Sequence, residues 1–324
     1  MKIRHIDTRP TEVGKAHEAL GLPPVEQVIE KVRAHPLATL ATWFMVFTLV
    51  GLPLFLLARG LPLSDPQAAL STVIEVLTSS EFLQAAAVGF IAQSIDGALG
   101  MAYGISATTF LLGTGASPAV ASASVHIAEI FTTGLSGLSH LRLGNVDRRL
   151  MLRLLIPGVI GGVLGALVVT QFDGAALKPW ISGYLLIMGL YVLAKAWRHR
   201  RKPAGEPRHV AKLALFGGFV DAAGGGGWGP VVTTSLVGAG QDPRRTIGSV
   251  NFAEFFIAIA SAGAFVVFID SAPWATVAGL VAGGMFAAPL AALLCRTLPA
   301  RALLVLVGLL ISALSTHNLI KALA

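Results

Sequence analysis

The first residues with a chemical use are ionisable side chains inside long apolar runs. His126 and Glu129 lie three residues apart in SVHIAEIF, and Asn251 and Glu254 lie three apart in SVNFAEFF. That spacing puts both members of each pair on one helix face. Charged groups within an apolar span are costly and usually face a bundle interior or a water-filled cavity. A carboxyl so placed has two readings, a proton carrier or a structural hydrogen-bond partner for broken backbone, and the sequence leaves both open. Asp96 and Asp221 open two glycine clusters, where they serve either as N-caps of a following half-helix or as ion ligands. No metal site is expected, because His126-x-x-Glu129 supplies only two ligands and no second histidine completes an H-E-x-x-H pattern. No cofactor is expected, and the absence of a G-x-x-x-x-G-K-[ST] loop argues against a transport ATPase.

The glycine clusters span Gly97–Gly104 and Gly224–Gly229. Non-helical backbone at membrane depth is tolerated only where it is buried in protein or lines a cavity. Two half-helix N-termini meeting there would present unpaired N–H groups and the positive ends of two dipoles, which favour an anion. The candidate binding set is therefore Gly100, Gly104, Ser106, Thr108, Thr109 and His126 from one cluster. From the other it is Gly225, Gly226, Gly227, Trp228, Gly229, Thr233, Thr234 and Asn251. Glu129, Glu254, Asp96 and Asp221 are the candidates for coupling to an ion. Small residues also pack spans together, so each glycine taken singly has a packing reading beside the functional one. Tyr103 and Trp228 match in position and are either gates or core aromatics.

The two clusters belong to a duplication. Shifting by 125 positions aligns Asp96, Gly100, Gly104, Thr108, Thr109, Pro118, Ser124, Val125 and Glu129 with Asp221, Gly225, Gly229, Thr233, Thr234, Pro243, Ser249, Val250 and Glu254, without a gap. Chance would supply roughly three or four identities over such a length in so Ala/Leu/Gly-rich a chain.

The elements that must carry these residues are membrane helices. The chain is 54% hydrophobic and 13% charged, with mean hydropathy +0.74. A globular domain carries about 25% charged residues, so the polar surface is too small for a soluble particle. The net charge of +7 comes from basic clusters between apolar segments, the pattern of cytoplasmic loops rather than of a nucleic-acid surface. The single cysteine, Cys295, excludes an internal disulfide and reads as a packing residue.

Loop charges set the topology. Residues 1–36 read as a cytoplasmic tail, 37–58 as an extra transmembrane helix, and 61–84 as an external linker with an amphipathic helix near Ala68–Leu77. Residues 85–197 form a first repeat, 198–212 a basic cytoplasmic link and 213–324 a second repeat. Arg142, Arg148, Arg149, Arg244 and Arg245 mark cytoplasmic ends. By this pattern the apolar stretch Ala85–Gly115 begins and ends outside, whereas Leu213–Gly240 begins and ends inside. The expected fold is thus all-α and polytopic, with an inverted-topology repeat. Each unit is a broken or re-entrant Gly-rich hairpin plus three transmembrane helices, an architecture used by secondary transporters.

A Gly-rich break followed by S-V-x-x-A-E-x-F, present once in each half, resembles the sulfite exporter TauE/SafE family of permeases. The carrying residues are GALGMAYG with SVHIAEIF, and GGGGWG with SVNFAEFF. The resemblance covers roughly Gln84 to the C-terminus. It implies transport of a small sulfur-containing anion, such as sulfite or an organosulfonate, across the bacterial inner membrane. Leu99, Met101 and Ala102 stand where the second half has Gly224, Gly226 and Gly227, so the halves should contribute unequally. The expected partners are a small anion, the lipid bilayer, protons and a second copy of the chain, with no nucleic acid. Three other readings stay open: an anion channel with the same site, a cation carrier using the intramembrane carboxylates, and, least favoured, a membrane-embedded enzyme built on His126 and Glu129.

Overall fold

The computed structural model describes residues 43–52, 64–142, 144–197, 209–268, 273–297 and 300–324, with Leu40 and Pro62 as single positions. The expected tail (1–36), most of the basic link and the side chain of Cys295 lie outside the described residues. Among the described residues every regular element is helical: α1 (Trp43–Leu52), α2 (Pro66–Thr78), α3 (Ser80–Leu99), α4 (Tyr103–Gly113), α5 (Pro118–Arg142), α6 (Arg148–Gln171), α7 (Gly174–Lys195), α8 (Val210–Gly224), a π-helical turn (Gly229–Thr233), α9 (Thr234–Gly238), α10 (Pro243–Phe268), α11 (Trp274–Thr297) and α12 (Ala300–Leu323).

Side-chain caps set several helix starts. Asp65 accepts from the Gln67 and Ala68 N–H groups with Pro66 at the first helical position, and Ser79 accepts from Phe82. Asp147 and Asp173 do the same for α6 and α7. The Ser79 cap starts α3 ahead of residue 85, so residues 80–84 belong to the helix that leads into the first break. Asp173 likewise starts α7 at Gly174, upstream of the apolar run that marks it in the sequence. Helix α2 exposes Leu70, Ile74 and Leu77 along one side, the stripe expected of an amphipathic helix.

Among the described residues four helical segments are long and apolar enough to cross a membrane: Arg148–Gln171, Gly174–Lys195, Arg245–Phe268 and Leu304–Leu323. Pro66–Thr78 and Ser80–Asp96 form a further pair bent by 57°. Helix α5 has the length of a span, 25 residues, but a more polar sequence, and Ser122, Ser124, His126, Glu129, Thr132 and Thr133 on it are all buried. Its polarity is turned inward, as intramembrane polar groups require.

Packing relates the halves. Helix α3 lies along α11, and α8 lies along α6, while α5 packs on α10 and α7 on α12. In the duplicated order α8 corresponds to α3, α10 to α5, α11 to α6 and α12 to α7. Exchanging the halves therefore maps this set of pairings onto itself. Glycines allow the close approach. A Cβ on Gly161 would run into the Leu215 carbonyl, and one on Gly283 into the Ala86 carbonyl. These are small-residue contacts that let helix backbones touch. Helix α1 leans on the α5–α10 pair through Phe44, whose ring lies 5.8 Å from that of Phe256, and through buried Met45.

Candidate functional site

Each break begins the same way. Helix α3 ends in left-handed Gly100 (φ 66°, ψ 32°), and α8 ends in left-handed Gly225 (φ 70°, ψ 36°). Glycine terminates a helix here because only it enters that region without steric cost. Each break is also bridged by the aspartate that opens it. Asp96 Oδ1 accepts from the Tyr103 N–H at 3.4 Å, and Asp221 Oδ1 accepts from the Trp228 N–H at 2.9 Å. Of the two readings open for these aspartates, one oxygen of each supplies the cap.

The two breaks interlock. A Cβ on Gly104 would come within 2.8 Å of Gly226 Cα, and one on Gly229 within 2.9 Å of Met101 Cα. Gly104 corresponds to Gly229 and Met101 to Gly226, so the same crossing contact is made twice. Thr108 Oγ1 donates to the Gly225 carbonyl. Ser122 Oγ donates to the Ala222 carbonyl at 2.6 Å. Gly226 lies over the Ile105 N–H in the first turn of α4, where no side chain would fit between them.

Around the crossing sit the ionisable groups. Glu129 Oε1 would be 2.8 Å from a Cβ at Gly104. His126 Nε2 is 3.3 Å from Asp221 Oδ2, so a histidine of one half faces the aspartate of the other. Asp96, Glu129, Asp221 and Glu254 are all buried, and Glu129 and Glu254 each lie within electrostatic range of both aspartates. Ser106 and Thr233 are buried with hydroxyls that have no hydrogen-bond partner.

Several expected residues are engaged elsewhere. Thr109 donates to the Ile105 carbonyl at 2.6 Å, and its own carbonyl accepts from Asn318 of α12 at 2.8 Å. Asn251 donates to Ser136 Oγ at 2.8 Å, across the α5–α10 contact. Trp228 is fully buried against Gly158 and Gly217, with Nε1 donating to the Val250 carbonyl at 3.2 Å. Tyr103 donates to the Leu280 carbonyl at 3.2 Å. Both aromatics thus take the core role, their polar tips spent on neighbouring backbone.

Two residues at the breaks were not signalled by motif or repeat. Tyr184 of α7 donates to the Gly226 carbonyl at 2.8 Å. Gly226 lies between the two helical segments of the break, where its carbonyl has no helical donor, and the tyrosine supplies one. Lys195, at the end of the same helix, places Nζ 3.4 Å from Thr234 Oγ1 and 3.6 Å from Met101 Sδ, and no carboxylate pairs with it among the described residues. In the sequence it merges with the basic link that follows. The available signal was that two of the chain's three tyrosines, Tyr184 and Tyr191, share one apolar span with Lys195.

Comparison with known proteins identifies the family. The chain matches the family described as "Sulfite exporter TauE/SafE" over residues 85–317. It is 44% identical over 244 residues to the "Probable membrane transporter protein YtnM" of Bacillus subtilis (strain 168), covering 72% of this chain and 81% of that protein. No solved structure matches it.

Proposed function

Because the chain belongs to the sulfite exporter TauE/SafE family and is a multi-pass membrane transporter, we propose that it is a secondary transporter, working as an exporter, for a small sulfur-containing anion such as sulfite or an organosulfonate. The observation that carries this reading is the interlocking of the two glycine breaks, with Gly104 on Gly226 and Gly229 on Met101. Ser106, in the first turn of α4, and Thr233, in the π-helical turn after the other break, each have a buried hydroxyl without a partner. N–H groups at a helix start and hydroxyl donors suit an oxyanion. Lys195 adds a cation beside Thr234 and Met101, a residue type that binds an oxyanion as a point charge.

In this reading the protein sits in the bacterial inner membrane with its N-terminus in the cytoplasm. The halves are inverted relative to one another, and the anion binds where their broken helices meet near the midplane. An anion among four buried carboxyls requires that those carboxyls be neutralised when it binds. Glu129 or Glu254 therefore acts as the proton carrier, and anion movement is coupled to protons. The same carboxyls favour one second reading, a cation carrier.

Flux of labelled sulfite and a set of organosulfonates in proteoliposomes tests both. The expected result is transport of at least one of them above empty liposomes, with a rate set by the pH gradient. Transport of none sinks the anion reading, and flux that responds only to a sodium gradient supports the cation carrier.

A further inference from the structure

We infer that His126, Glu129 and Asp221 form a site for one divalent first-row transition-metal ion, of which zinc is the type. One ligand atom from each lies within 4.8 Å of the other two, and the residues are 0%, 2% and 2% exposed. Sequence spacing offered only the His126-x-x-Glu129 pair. The third ligand arrives from the other half of the chain, 125 positions after Asp96, when the breaks cross.

Three observations point to a shared cation. First, His126 Nε2, Glu129 Oε2 and Asp221 Oδ2 are each buried without a hydrogen-bond partner. One such atom costs about 1–3 kcal/mol, more if charged, so three in one cluster call for a common partner.

Second, the imidazole is oriented for metal. Nδ1 lies 2.8 Å from the Ser122 carbonyl, a contact that is attractive only if Nδ1 carries a proton. With Nδ1 protonated, Nε2 and the Asp221 carboxylate oxygen 3.3 Å away attract each other only when a proton or a metal ion lies between them. A backbone carbonyl on the far nitrogen is the usual outer contact of a metal-binding histidine.

Third, charge and distance agree. Two carboxylates and a neutral imidazole sum to the charge that a divalent ion cancels. A 3.3 Å separation of Nε2 and Oδ2 is the edge of a tetrahedron whose ligands stand about 2.0–2.1 Å from the centre. The N,O,O donor set favours zinc, manganese, iron, cobalt or nickel over sodium and calcium, which take oxygen ligands alone.

The site is single. The counterpart of His126 is Asn251, whose amide is spent on Ser136. Asp221 holds the start of the second half-helix through its other oxygen, and Glu129 touches Gly104 through its own. A bound ion therefore ties α5 of one half to the break of the other, whatever the substrate.

The test uses full-length protein in detergent, stripped with EDTA and titrated with Co(II), then with Zn(II). One Co(II) per chain is expected, with visible d–d bands that Zn(II) abolishes. X-ray absorption of the zinc form should show one imidazole, oxygen ligands and no sulfur. His126→Ala and Asp221→Asn should weaken binding by more than about 100-fold, beyond the usual effect of losing an outer contact. His317→Ala, at an exposed histidine, should not change it. Melting curves on each variant confirm that it is folded, and the absorption spectrum of the wild type stands even if a variant fails to fold. The inference is overturned if folded wild type binds no stoichiometric metal, which would leave a shared proton as the occupant. It is also overturned if the ion persists in folded His126→Ala, or if more than one imidazole ligates it. None of these readouts depends on sulfite flux, so the transport reading stands or falls separately.

Discussion

At the first break Gly100 turns left-handed and the chain leaves through Met101 and Ala102 into a regular α-helix; at the second Gly225 makes the same turn but leaves through Gly226 and Gly227 into a π-helical turn. The turn itself is common to both halves, and so is the aspartate that bridges it. What differs is what surrounds the exit. In the second half the Gly226 carbonyl lies between helices and Tyr184 supplies its donor from another helix. In the first half a histidine stands where the second has Asn251, and it reaches across to Asp221. Duplication supplied a symmetric crossing of two backbones. Divergence of a few side chains then set the histidine against Asp221 and left Tyr184 and Lys195 to contact the second break.

Variants can break or sharpen this comparison. The largest effect is expected from Gly226→Ala. Its Cβ would fall on the Gly104 backbone and its φ is 139°, so overpacking of about 1–3 kcal/mol adds to about 1–3 kcal/mol of backbone strain. Gly238→Ala in α9, where a Cβ meets nothing within 4 Å, should leave the melting temperature unchanged or slightly raised. Equal melting of the two variants would mean that the breaks do not touch.

The bridging aspartates come next. Asp221→Ala removes the shorter of the two caps, 2.9 Å against 3.4 Å, and should cost about 1–2 kcal/mol by denaturant or thermal unfolding. Asp96→Ala should cost less. The reverse order would make the first break the tighter one.

The smallest effect is expected from Tyr184→Phe. Loss of the Gly226 carbonyl's donor should cost about 1 kcal/mol and leave the fold intact. A neutral result would show that water satisfies that carbonyl.

Much of this architecture was legible in the chain. Apolar run lengths announced membrane helices, and Asp-to-Glu blocks repeated at one interval announced two matched breaks. Gly100 and Gly225 marked the left-handed turns because glycine enters that region without steric cost, whereas left-handed Ala102 carried no such mark. Helix starts were less legible. Ser79 and Asp173 extend α3 and α7 through residues whose composition resembles loops, since a cap can draw a polar stretch into a helix that tertiary packing then holds. Side-chain direction was hidden as well. Asn251 matches His126 in register yet bonds within the α5–α10 contact, and Trp228 matches Tyr103 yet both fill core space. The meeting of His126 with Asp221 depends on a crossing between segments about a hundred residues apart, which helical periodicity within either segment does not encode. Lys195 was masked by the basic link beside it, where charge is expected for topology alone.

The account rests on an anion held where the breaks cross, within reach of Lys195. The most direct measurement is the thermal shift of purified protein with sulfite, a sulfonate and chloride, in wild type and in Lys195→Gln. Sulfite or the sulfonate should raise the wild-type melting temperature, chloride should not, and the shift should shrink in Lys195→Gln. No shift with either sulfur anion, or the same shift in both proteins, would contradict it.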